Sequence, residues 1–104
     1  MTRLEQLLQF VDEDPDDPFN LYGLALEYLK SDVGKATVLF EKLLADHENY
    51  LPTYYQAANL FESIGRREQA IAILEKGILI AKHTKELKTL RELQGVLNEL
   101  QSDD

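Results

Sequence analysis

Tyr54-Tyr55-Gln56-Ala57-Ala58-Asn59-Leu60-Phe61, followed by Gly65 and then by Ala70 and Leu74, is the stretch on which the fold turns. Tyr54, Ala57, Ala58 and Phe61 recur at intervals of three and four, the spacing of one face of an α-helix. Gly65 follows the periodic run as a left-handed stop. Ala70, Leu74 and Gly77 then resume the periodicity on a second helix. The same figure stands upstream. Leu21, Leu24, Ala25 and Tyr28 align with Tyr54, Ala57, Ala58 and Phe61 at an offset of 33, and Ala36, Phe40 and Leu43 align with Ala70, Leu74 and Gly77 at an offset of 34. The one-residue slip falls in the connecting turn, where seven residues separate Tyr28 from Ala36 and eight separate Phe61 from Ala70.

The remainder of the chain is helical by the same criterion. Leu4, Leu7, Leu8 and Val11 mark an amphipathic N-terminal helix. The run Asp12-Glu13-Asp14-Pro15-Asp16-Asp17-Pro18 ends it, with Asp17 as N-cap and Pro18 at the first position of the next helix. Ser31 or Asp32 caps a further helix, Asn49 ahead of Pro52 opens another, and Thr84 separates the stretch 71–82 from a last helix carrying Leu87, Leu90, Leu93, Leu97 and Leu100. Six helices are expected, with no linker long enough to divide domains.

The repeated helix pair resembles the tetratricopeptide repeat, a 34-residue helix–turn–helix unit. The matching residues are Tyr54, Ala57-Ala58 and Phe61 with Ala70 and Leu74, and in the first copy Leu21, Leu24-Ala25 and Tyr28 with Ala36 and Phe40. The resemblance implies an all-α, right-handed α-solenoid of helical hairpins in one domain, 1–104. Residues 2–13 would form a half-repeat, 18–50 the first repeat, 51–84 the second, and 85–101 a capping helix. Ala25, Ala36, Ala58, Ala70 and Gly77 would lie where helices cross, since a larger side chain there would push them apart. The departures are a shortened first turn, Gly34 inside the start of a helix, and Glu48 and Lys82 where a late proline would stand.

Composition narrows the functional classes. With 104 residues the chain has room for one modest core. The 19 acidic and 11 basic side chains leave a net charge of −8, the reverse of what nucleic acid or an anionic membrane selects. The charge is uneven: residues 1–63 hold 4 basic and 12 acidic side chains, whereas 64–104 hold 7 of each. This asymmetry suggests weak head-to-tail contact between copies, with the acidic run 12–17 of one approaching Lys82, Lys85, Lys88 and Arg91 of another. No cysteine is present, which removes thiolate chemistry and disulfides. The N-terminal apolar residues are interrupted as no signal peptide is, and no apolar run approaches a membrane span. A cytoplasmic location is therefore expected.

Motifs for catalysis or metals are missing. Asp12, Asp14 and Asp16 begin a calcium-loop spacing, but Asp17 and Gly23 stand where that loop needs Gly and Glu, so a solvated acidic linker is the better reading. His47 and His83 are too far apart in a repeat stack to share a metal. There is no phosphate loop, no nucleophile elbow, and no hydroxyl one helical turn from a histidine. No enzyme activity, cofactor or metal is expected.

The family resemblance implies instead a protein or peptide partner bound in a concave groove lined by the first helix of each repeat. The groove positions would be Phe19, Tyr22, Leu26 and Leu29 in the first repeat, and Pro52, Tyr55, Asn59 and Glu62 in the second. A subset of the family clamps a peptide carboxylate with Lys and Asn. Here Tyr22 and Leu26 occupy those places, so carboxylate clamping of that kind is not expected. The expected site residues are Phe19, Tyr22, Leu26, Tyr55, Asn59 and Glu62. Two readings compete with it: a self-associating subunit, and tyrosines that only pack against the terminal helices.

Overall fold

The computed structural model describes residues 1–102, which form six α-helices and, among the described residues, no strand. They are α1 (Arg3–Glu13), α2 (Pro18–Tyr28), α3 (Val33–Asp46), α4 (Pro52–Ser63), α5 (Arg67–Thr84) and α6 (Leu87–Gln101). The helices gather into two compact units, Met1–Tyr50 with α1 to α3 and a second from Leu51 with α4 to α6.

In the first unit each helix starts on a side-chain cap. Thr2 and Glu5 form a capping box: the Glu5 N–H donates to Thr2 Oγ1 at 3.1 Å and the Thr2 N–H donates to Glu5 Oε1 at 2.8 Å. Asp17 caps α2 by accepting from the Phe19 N–H at 2.9 Å, with Pro18 in the first turn. Of the two candidates ahead of α3, Asp32 is the cap, accepting from the Lys35 N–H at 3.1 Å. The core of the unit comprises Leu7, Leu21, Leu24, Ala25, Tyr28, Ala36, Phe40 and Leu43. Helix α1 reaches α2 at Gly23, where an added Cβ would stand 3.1 Å from Leu7 Cδ2. The absent side chain lets the buried Leu7 settle directly on the α2 backbone.

In the second unit the helix ends carry the information. Gly65 stands at φ 85° after α4; its N–H donates to the Glu62 carbonyl and the Arg66 N–H to the Phe61 carbonyl, the paired bonds of a Schellman stop. Helix α5 ends in the same way one residue beyond Thr84. Lys85 takes the left-handed conformation at φ 60°, the Glu86 N–H donates to the Ala81 carbonyl, and the Lys85 N–H donates to the Lys82 carbonyl. The start of α4 differs from expectation: Leu51 is the N-cap without a side-chain bond, and Pro52, which needs no N–H partner, fills the first position in place of a cap by Asn49.

Ala58 and Ala70 are fully buried, as the repeat alignment requires of small residues at crossings. Gly77 is the tightest point. A Cβ there would lie 2.8 Å from Tyr54 Cγ and 2.9 Å from Leu93 Cδ1, so α5 meets α4 on one side and α6 on the other. Helix α6 covers the unit with Leu93 and Leu97, and the Arg67 guanidinium donates from the first turn of α5 to the Leu100 carbonyl. That bond places a cation at the negative end of α6.

Candidate partner-binding faces

Capping by Asp17 and the stripe Leu21, Leu24, Ala25 and Tyr28 fix which side of α2 is buried, and so which side is left. Phe19 is 69% exposed, while Tyr22 and Leu26 are half-buried. These three residues come together around one open cleft of about 460 Å³, a size suited to one or two large apolar side chains. Its opposite wall belongs to α1, where Arg3, Leu7 and Phe10 follow one another at i, i+4 and i+7. Phe10 is itself 47% exposed.

The Tyr22 ring meets Tyr50 edge-on, with centroids 5.7 Å apart and planes inclined by 63°. Burial raises the Tyr50 hydroxyl above its ordinary value, and the Asp17 carboxylate adds to the shift. The cleft is thus apolar along its floor, aromatic along one edge, and negatively charged beside the start of α2.

Helix α4 presents a second face. Tyr55 is 43% exposed, and Asn59 and Glu62 are exposed on the same stripe at i, i+4 and i+7. The opposite side of α4 is buried through Tyr54, Ala57, Ala58 and Phe61. The stripe offers one aromatic ring, one amide with both donor and acceptor, and one carboxylate.

Sequence reasoning missed two features. The α1 stripe read from the sequence was Leu4, Leu7, Leu8 and Val11, and of these only Leu7 joins Arg3 and Phe10 on the cleft wall. A second, more apolar cleft of about 430 Å³ is lined by Leu24, Tyr28, Val38 and Leu39 between α2 and α3, with the Lys35 ammonium 5.5 Å above the Tyr28 ring. The i, i+4 relation of Tyr28 to Asp32 and of Lys35 to Leu39 was the available signal, across a turn whose shortness hid it.

Among the described residues no three His, Asp or Glu side chains are grouped to hold a metal ion, and no helix is long and apolar enough to cross a membrane. The arrangement is one of helical hairpins with small residues at the crossings and aromatic residues on the outward stripes, a helical-repeat protein by class. The solution structure of a tetratricopeptide repeat domain protein from Salinibacter ruber is similar to this chain, with 37% identity over 88% of this chain and 93% of that one, at a TM-score of 0.82. A crystal structure of a tetratricopeptide repeat domain protein from the same organism is 36% identical, covering 86% of this chain and all of that one at a TM-score of 0.80. The chain belongs to the tetratricopeptide repeat family. A protein from Bordetella parapertussis shares the fold at 19% identity and a TM-score of 0.82. No family model matches the chain, and no curated protein matches it significantly. Proteins of this fold generally mediate protein–protein interaction and are generally non-enzymatic.

Proposed function

We propose that this protein is a non-enzymatic interaction module that takes a peptide or partner helix on the outward stripes of its repeat-opening helices. Phe19, Tyr22 and Leu26 on α2 supply the apolar anchors, and Tyr55, Asn59 and Glu62 on α4 supply a ring with polar neighbours. The observation that carries the reading is Phe19. A phenylalanine 69% exposed beside two half-buried apolar residues and an open cleft is a surface that another molecule would stabilise by covering. Tyrosine suits such a surface because its ring contributes apolar area while its hydroxyl stays hydrated. Faces this short accommodate a short segment, with an affinity near micromolar, about −8 kcal/mol.

The test is a selection of peptides from a random display library on the immobilised chain, followed by titration of the selected peptide into isotopically labelled protein. Amide shifts concentrated at 19–29 and 52–62 support the reading. Shifts confined to α6 or to the outer side of α3 and α5 would overturn it.

A further inference from the structure

The cleft between α1 and α2 is electrically polarised. At one end stands Arg3, whose side chain has no ion-pair or hydrogen-bond partner among the described residues, in a unit where residues 1–50 carry 4 basic and 11 acidic side chains. At the other end, beyond Phe10 and Phe19, the chain passes from α1 to α2 through the loop 14–17, which carries Asp14 and Asp16. Both aspartates are exposed, and neither carries a side-chain hydrogen bond or ion pair among the described residues. Asp17 adds its charge at the Phe19 N–H.

The two ends act separately. Eleven residues of helix from Arg3 to Asp14 span about 16 Å, twice the roughly 8 Å over which charges are felt at physiological salt. An occupant therefore meets a local cation at one end and a local anion pair at the other, whatever the net charge of the chain. The floor between them is apolar.

We infer that the α1–α2 cleft binds a dipolar peptide segment, one or two large apolar side chains flanked by an acidic residue on one side and basic residues on the other. The acidic residue lies against Arg3 and the basic residues against Asp14 and Asp16. Guanidinium and carboxylate form the stronger, geometrically defined pair, so Arg3 sets the orientation of the segment in the cleft. This inference rests on the peptide-binding reading given above and adds the chemistry of the partner.

Three synthetic peptides with the same central Phe and Leu test it by fluorescence anisotropy at physiological salt. One carries Lys at one end and Glu at the other, one carries Lys at both ends, and one carries Glu at both. The dipolar peptide is expected to bind roughly threefold to tenfold tighter than either other peptide. Replacing the exposed Arg3 by Glu should transfer the preference to the peptide with Lys at both ends, and circular dichroism confirms that the variant stays folded. Phe19→Asp should abolish binding of all three. If the peptide with two basic ends binds the unaltered chain best, or if Arg3→Glu leaves the ranking unchanged, the dipolar inference is overturned while peptide binding stands. If no peptide binds, or if binding ignores Phe19→Asp, the cleft is not a peptide site and both readings fall for this unit.

Discussion

Gly77 lies against the ring of Tyr54 so closely that a single added carbon would stand 2.8 Å from Tyr54 Cγ. The contact is at the root of the ring, which cannot swing aside, and Leu93 closes the other side at 2.9 Å. Helix propensity alone would favour alanine over glycine by about 1 kcal/mol. The steric effect opposes it and is larger, because overpacking a close crossing costs roughly 1–3 kcal/mol. Gly77→Ala is therefore expected to be neutral to destabilising by up to about 2 kcal/mol, and Gly77→Val to cost more. Urea denaturation measures this, and a stabilised Gly77→Ala would show that α5 is not pinned at this point.

Lys85 offers the opposite case. It holds a left-handed conformation that a side chain disfavours by about 1 kcal/mol, and it does so at the position where glycine is the usual helix stop. Lys85→Gly should raise the stability of the protein by roughly 0.5–1 kcal/mol, read as a higher thermal midpoint. Lys85→Val, β-branched at the same φ, should lower it.

The first of these features was partly legible in the sequence and the second was not. The offset of 33 and 34 between the repeat copies placed Ala25, Ala36, Ala58 and Ala70 at crossings, and each is fully buried. Periodicity sees such positions because a crossing excludes bulk wherever it occurs. The end of α5 was hidden because lysine gives no left-handed signal, and Thr84 drew the boundary one residue early. Phe19, Tyr22 and Leu26 were legible as one stripe. Their partner wall of Arg3, Leu7 and Phe10 was not, since a helical stripe does not say at what angle its helix crosses the next.

Removing α6 tests the covering role of Leu93 and Leu97. A chain ending before residue 85 bares the surface around Tyr54 and Gly77 that Leu93 packs upon. It should scatter light and precipitate at concentrations where the full chain is clear, as stacks lacking an end cap do.

The capping box at the first helix should respond to acid. Accepting hydrogen bonds from the Thr2 backbone and side chain holds the Glu5 carboxyl below its ordinary value of 4.5. A carboxyl depressed in the folded state contributes fully above its unfolded value, and the contribution is lost as pH falls through the folded one. The protection of amides 3–6, measured against their intrinsic exchange at each pH, should therefore fall as pH drops below the ordinary glutamate value. Glu5→Gln should flatten that dependence, because the amide keeps an acceptor oxygen but does not titrate.

Tyr22→Ala and Tyr55→Ala should each weaken binding of a selected peptide by roughly 1–2 kcal/mol while preserving the helical circular dichroism, as truncation of aromatic anchors does. Glu75→Ala, exposed on α5, is the control and should leave the affinity unchanged. Loss of binding in the control but not in the tyrosine variants would move the recognition surface to the other side of the repeat.

The edge-on pairing of Tyr22 with Tyr50, 5.7 Å between ring centres, gives the molecule an optical handle of its own. The chain contains five tyrosines and no tryptophan, so its near-ultraviolet emission comes from phenol rings alone. Two rings at this distance share excitation, and one of them lines the α1–α2 cleft. A molecule entering the cleft alters the surroundings of that emitting pair directly, so occupancy can be followed on the unlabelled protein, and a single tryptophan carried by the incoming segment would act as the acceptor.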